Sequence, residues 1–293
     1  MLSGISTHVF FPQRLHAGLL EALAKGGARA IELFAARHHF DYTDRAQVRE
    51  IAGWFRSNDV LATMHAPLST DDTFSRHAGP NINLIDGDKG RRIAAMDEIK
   101  RALEVAEQIA IGSCVLHLGL GNREDRWSEH VLEYSLTAVE HLNAFAGPLG
   151  VRLLLENLRN EVTVPENLMR ILKVGHFDRC GICLDVGHAH LGDYGIETAF
   201  EVLGPRVFEL HLHDNHGPDG KGDEHLWPAS ENRPEGLASG TIDWAKVYGL
   251  AARLPPRTIG MLEIADAQAD SAATVTRIAQ QVFAQQARLM EQA

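Results

Sequence analysis

Residues 151–156 read VRLLLE, an apolar run broken once by arginine and closed by a carboxylate. The run has the length of a buried strand. Its last side chain is one that a core does not tolerate without a partner. The same pattern returns in LATMH (61–65), CVLH (114–117), GICLD (181–185), VFELH (207–211) and IGMLE (259–263). With three donors just beyond such runs, these endings make nine residues of metal-ligand type: His65, His117, Glu156, Asp185, His188, His211, Asp223, His225 and Glu263. A single one of them is ordinarily a hydrogen-bonded core group. Six strand-like runs ending alike point to strands aimed at one polar centre, most simply a metal ion.

Longer segments of helical period separate these runs. Ile93, Met96, Ile99, Leu103 and Ala106 recur at three or four, as do Trp127, Val131, Tyr134, Ala138, Leu142 and Phe145. Helices are expected over 14–25, 44–57, 89–110, 127–146, 165–174, 195–203, 242–253 and 270–291, each after a β-rich run. Thr163 and Glu166 have capping-box spacing around Pro165, which predicts a helix start near 164. Asp97 lies four before Arg101 and is expected to pair with it. Eight strand–helix units with no linker predict one α/β domain over 1–293, a (β/α)8 TIM barrel, with a doubly wound open sheet as the alternative.

In such a barrel the functional residues sit at the C-terminal ends of the strands, where all six run-closing residues fall. Strand alternation puts Leu154 with Glu156, Cys183 with Asp185 and Met261 with Glu263 on shared faces. The apolar member of each pair is expected to fill the barrel and the polar one to open on its mouth. Strands 5 and 8 are expected to face each other across that mouth.

Composition bounds the function. The net charge of −11 argues against non-specific binding to phosphate backbones. Cys114, Cys180 and Cys183 make no disulfide framework, and Cys180 and Cys183 fall on opposite faces of one strand, as ordinary packing does. No segment approaches the roughly 18 continuous apolar residues of a membrane span, and the N-terminus has no signal pattern. The expected location is the cytoplasm.

Glu156, Asp185, His211 and Glu263 offer three carboxylates and one imidazole. That set suits Mn, Mg or Co, with Zn also compatible. One ion is expected there. His188 with Asp223 and His225, and His65 with His117 and a bridging Glu156, extend the count to as many as three.

The chain resembles the xylose isomerase-like barrel superfamily, which holds sugar and sugar-phosphate isomerases and epimerases and also the endonuclease IV-type (AP endonuclease family 2) enzymes. The resemblance spans essentially the whole chain. It rests on AIELF (30–34), MHAPL (64–68), LLLEN (153–157), LDVGHAHL (184–191), ELHLHDN (209–215), DEHL (223–226), SGTIDW (239–244) and MLEI (261–264). It implies that Glu156, Asp185, His211 and Glu263 form the metal quartet of the sugar enzymes. It equally implies that all nine donors match the trinuclear zinc set of the endonuclease branch. An endonuclease needs basic loops around its mouth, whereas the segment after strand 3 carries four aspartates before residue 90.

The expected activity is therefore a metal-dependent sugar isomerase or epimerase on a small sugar-like substrate, with abasic-DNA phosphodiesterase or lyase and dehydratase chemistry as alternatives. Nucleic acid and membrane are not expected partners; homo-oligomerisation is compatible. Glu156 and Glu263 are the candidate catalytic carboxylates. His188 is a candidate for orienting substrate oxygens, Glu32 for supporting a ligand imidazole, Arg159 for an anionic group, and Trp227 with Arg233 for capping a polyol.

Overall fold

A computed structural model of the chain describes residues 1–75, 79–121, 125–228, 240–265 and 271–292. Eight strands form one closed parallel barrel in sequence order: β1 (Leu2–Ser6), β2 (Ala30–Phe34), β3 (Leu61–His65), β4 (Ile111–Leu116), β5 (Arg152–Glu156), β6 (Gly181–Asp185), β7 (Val207–Leu212) and β8 (Ile259–Leu262). β8 closes on β1, with Leu2 beside Ile259 and Ile5 beside Leu262. The barrel expectation holds and the open sheet does not.

The outer ring comprises α1 (Ala17–Lys25), α2 (Arg45–Ser57), α3 (Lys89–Leu103), α4 (Glu129–Ala146), α5 (Pro165–Val174), α6 (Val186–Leu191), α7 (Gly195–Leu203), α8 (Trp244–Ala251) and α9 (Ala272–Glu291). Short side chains start most of them by accepting backbone N–H bonds that the first turn cannot satisfy internally. Asp44 caps α2, Asp88 α3, Ser128 α4, Asp243 α8 and Ser271 α9. Among the described residues no helix is long and apolar enough to cross a membrane.

Several local expectations change. α5 starts at Pro165, but its N-cap is Val164, with no side-chain cap bond. Thr163 instead donates to Asn160 Oδ1 and accepts from Leu158 N at 2.9 Å, so it locks the loop after β5 rather than the helix. Arg101 pairs with Glu98, and Asp97 with Lys100, because α3 brings neighbours three apart together here. α6 has no counterpart in the periodicity. At six residues it is too short to show a stripe, and Asp185 starts it by accepting from His188 N at 2.5 Å.

Inside the barrel Val115, Leu154 and Cys183 form a small dry cluster of their own, while Cys180 belongs to the outer core. Leu154, Cys183 and Met261 are fully buried as expected. β7 departs from the pattern, because two residues before His211 stands Glu209, also fully buried. Ser113 and Thr63 donate to it at 3.1 and 3.2 Å. Burial, with the nearby Glu32 charge, pushes its carboxyl up to about 8. The ring order also corrects the expected opposition of strands 5 and 8. They are three places apart; β5 lies across from β1, and β8 from β4.

Candidate metal centre

His65, Glu156 and Asp185 are the last residues of β3, β5 and β6; His211 is the penultimate residue of β7; His117 and Glu263 follow β4 and β8 directly. Asp185 and His211 are register neighbours, and His211 in turn sits beside Met261. The parallel ladder thus delivers residues far apart in the chain to one rim. Asp223 and His225 arrive on the loop after β7, and His188 on α6.

The donors fall into three adjoining sets, within each of which the ligand atoms lie within 4.8 Å of one another. One is His65, His117 and Glu156; one is Glu156, Asp185, His211 and Glu263; one is His188, Asp223 and His225, joined by His213. Glu156 belongs to two of them. Its Oε2 lies 2.9 Å from His117 Nε2 and 3.5 Å from His65 Nε2, while its Oε1 lies 3.5 Å from His211 Nδ1.

The second nitrogen of each key imidazole decides which one faces the centre. His65 Nδ1 donates to Ala66 O at 2.8 Å, His188 Nδ1 to Asn157 O at 3.0 Å and His225 Nδ1 to Glu263 O at 2.9 Å. A carbonyl accepts only, so each Nδ1 carries a proton and each Nε2 turns to the carboxylates, where it donates as an imidazolium or, as a neutral ring, offers its lone pair to a cation. His211 is reversed, with Nε2 3.2 Å from Glu32 Oε2. Its Nδ1 is buried with no hydrogen bond, 3.2 Å from Glu263, 3.5 Å from Glu156 and 3.8 Å from Asp185. Burial opposes a proton on this ring, yet Cys183, Glu263, Glu32 and Glu156 raise its pKa well above the usual value; buried carboxylates so close together call for positive charge among them, which that proton or a bound cation supplies. An imidazole whose far N–H is held by a carbonyl or carboxylate is also the usual setting of a metal ligand. The donor set therefore fits a divalent ion.

The electrostatics agree. Burial works against charge on Glu156, but His117 and His211 hold its carboxyl well below the usual range. Against the same opposition, His211 and His225 do so for Glu263, and His188 and His225 for Asp223. The carboxylates stay ionised, the form a metal needs. Burial opposes a proton on His225 as well, yet Asp223 and Glu263 lift it to about 9.

Not every candidate joins this centre. His188 has both nitrogens engaged, the second 2.9 Å from Asp223 Oδ2, which leaves it in the third donor set rather than free for substrate oxygens. Arg159 lines a pocket of about 480 Å³ with Arg126, Glu161, Asp193 and Tyr194, and its Nη1 lies 3.8 Å from where a Cβ on Gly222, next to Asp223, would stand. Trp227 is 0% exposed and packed in the core, so it cannot cap a substrate: the loop after β7 folds its indole inward. Arg233 lies outside the described residues.

Two histidines escaped the sequence reading. His213 Nε2 lies 3.1 Å from both oxygens of Asp185, and its ring stacks on His225 at 3.9 Å. Gly187 leaves the room for it, since a Cβ there would stand 2.1 Å from the imidazole. His8 lies two residues past β1, in the turn Thr7–Phe10, and sits 5.1 Å, ring to ring, from His225. The signal for His213 was visible, in that it stands two residues after His211 in HLH; His8, in the middle of LSGISTHVFF, gave none.

The sequence model of the family described as "Xylose isomerase-like TIM barrel" matches residues 20–286. An uncharacterized protein of Methanocaldococcus jannaschii is 26% identical over 235 residues, 77% of this chain and 74% of its own. The solved structure of an IOLI protein with a zinc atom has a TM-score of 0.78 at 17% identity, covering 100% of this chain and 99% of the other. A D-psicose 3-epimerase with D-tagatose, from Clostridium cellulolyticum H10, has a TM-score of 0.75 at 15% identity over 99% of both chains.

Proposed function

The chain belongs to the xylose isomerase-like TIM barrel family, and from that premise we propose that it is a divalent-metal-dependent isomerase or epimerase acting on a sugar, a sugar phosphate or a related polyol. One observation carries this reading. Glu156 and Glu263, ionised and from different strands, meet His211 Nδ1 at 3.5 and 3.2 Å in a buried site at the barrel mouth. The likeness in fold to a D-psicose 3-epimerase supports the substrate class.

Glu156, Asp185, His211 and Glu263 would hold one ion, of Mn, Mg, Co or Zn; the sets around His65 and His117, and around His188, Asp223 and His225, extend the count to as many as three. When bound, such an ion supplies Lewis-acid polarisation of a substrate carbonyl and its neighbouring hydroxyl. One of the two glutamates takes the proton from the adjacent carbon and the other returns one. Return to the opposite face of that carbon epimerises it; return to the neighbouring carbon, with the hydroxyl proton passing to the former carbonyl oxygen, exchanges aldose and ketose. Glu32 orients the His211 ring, and His213 holds both oxygens of Asp185. The test is solvent-deuterium incorporation into a panel of ketoses. Glu156→Gln and Glu263→Gln should each abolish it, and exchange that survives either substitution removes that residue from the mechanism.

The three adjoining donor sets favour a second reading, hydrolysis of a phosphodiester at an abasic site. The rim argues against it. The segment between β3 and Lys89 carries four aspartates, Asp71, Asp72, Asp86 and Asp88, against one arginine, Arg76, a poor composition for meeting a phosphate backbone. Incision of an abasic duplex without ketose exchange would overturn the first reading.

A further inference from the structure

The register between β5 and β6 ends at Glu156 beside Cys183. One residue later the side chain of Asn157 takes over the pairing. Its Oδ1 accepts from Asp185 N and its Nδ2 donates to Asp185 O, both at 2.8 Å. A backbone N–H only donates and a carbonyl only accepts, so these partners fix which way the amide is turned. The same Nδ2 donates to Tyr194 Oη at 3.1 Å. Asn157 and Asp185 are both fully buried.

The main chain of Asn157 is engaged as well. Its carbonyl accepts from His188 Nδ1 at 3.0 Å, with Glu156 Oε1 slightly farther from that nitrogen at 3.3 Å. His188 N donates in turn to Asp185 Oδ1, the bond that starts α6. The contacts close a ring: from the Asn157 amide to the Asp185 main chain, through the first turn of α6 to His188, and from the His188 ring back to Asn157. Glu156 immediately precedes the pinned residue, Asp185 is held by its main chain, and His188 by its imidazole. These three donors serve different sets, and Glu156 serves two. The residue type follows from the double bond to Asp185. Leucine keeps the shape without either bond, serine is too short to reach both groups, and an ionised aspartate has nothing to donate to Asp185 O. A buried main-chain group left without a partner is costly, so the ends of β5 and β6 shift if the amide is lost.

We propose that Asn157 is the positioning residue of the donor cluster: its side chain, occupied by Asp185 and Tyr194, sets the places of Glu156, Asp185 and His188 together and so governs ion binding in every set these residues join. The proposal rests on the reading of the cluster as a metal centre. It goes beyond that reading in assigning the geometry of three donors to one uncharged amide.

Zinc dissociation constants, measured on the folded protein by competition with a chelator, test it. Asn157→Leu and Asn157→Ser should each weaken zinc binding about 10–100-fold, the usual effect of losing a group that orients a ligand. Leu154→Ala, on the same strand, is the contrast: it should lose stability with its zinc constants within threefold of the wild type, a change that a merely structural role for Asn157 would match. A change below threefold in either folded Asn157 variant overturns the positioning role and leaves the metal centre standing. A wild type that binds no zinc overturns the metal centre, and this proposal with it. The reciprocal measurement needs no variant. A clamp that strengthens ion binding is itself strengthened by the ion, so hydrogen exchange at Asp185 N–H in the wild type should slow more than threefold on zinc loading; a smaller change overturns the role.

Discussion

The donors reach the mouth by two routes, and the difference shows how each is held in place. Glu156, Asp185 and His211 stand on strands whose ladder partners are fixed, Glu156 beside Cys183 and Asp185 beside His211. Their positions follow from barrel closure. Asp223 and His225 stand on a loop with no ladder. There the work falls to Asp214, almost fully buried just after β7. Its backbone exchanges two bonds with Leu226, at 2.8 and 3.0 Å, pinching the loop shut behind Asp223 and His225. Its carboxylate accepts from Trp244 Nε1 at 3.0 Å, Ile242 N at 3.1 Å and Asn215 N at 2.8 Å. Gly240 lets the returning chain pass, since a Cβ there would lie 2.1 Å from that carboxylate. The strand donors are positioned by the sheet, the loop donors by Asp214 and by two bonds of His225, whose Nδ1 donates to Glu263 O and whose carbonyl accepts from Ala265 N, both at 2.9 Å.

The sharpest way to break the comparison is at Glu156, the donor shared by two sets. Glu156→Gln should cut deuterium exchange by about 10²–10⁴-fold, the usual contribution of a catalytic base. It should also lower bound metal in both sets it joins, read by elemental analysis. The floor of the barrel should behave oppositely. Leu154→Ala should cost about 2–5 kcal/mol of stability as a cavity opens among Val115 and Cys183, with metal content unchanged in the folded protein. Asp214→Ala leaves three donors without an acceptor and should cost roughly 1–3 kcal/mol for each that water cannot reach. Metal in the His188, Asp223 and His225 set should fall while the strand quartet stays loaded. Equal loss from both would refute the division of labour.

The smallest effect concerns another loop stitched by a buried side chain. His39, after β2, contacts Gln13 O at 2.5 Å, and burial lowers its pKa to about 4. Unfolded, it titrates near about 6.5. The folded state then binds fewer protons between these values, so stability falls as pH drops from about 6.5 towards about 4, by roughly 3 kcal/mol if the full shift is expressed. Denaturation curves of His39→Gln across that range should lack this part of the slope.

The strand-borne half of the site was readable because strand period and run endings are local properties. Each of the six runs carries its donor within a few residues, and a parallel barrel brings like ends together. The loop-borne half was readable only as residue types. Whether Trp227 faced a substrate or the core depended on the path of the loop after β7, which no periodicity records. Thr163 and Asp97 show the same limit at close range, where standard spacing competed with other partners, Asn160 and Lys100, supplied by the folded chain.

By itself the chain determined an eight-unit barrel and a rim of carboxylates and imidazoles, because alternation and apolar period act between near neighbours. The tertiary structure alone decided which nitrogen each imidazole turns inward, that Glu209 lies buried in the barrel with Ser113 and Thr63 donating to it, and that His8, Phe11, Phe34 and Phe74 line a cavity beside the donors. Those outcomes are meetings through space, such as that of Glu32 with His211, 179 positions apart. Nothing short of the closed barrel supplies the burial and the partners that set them.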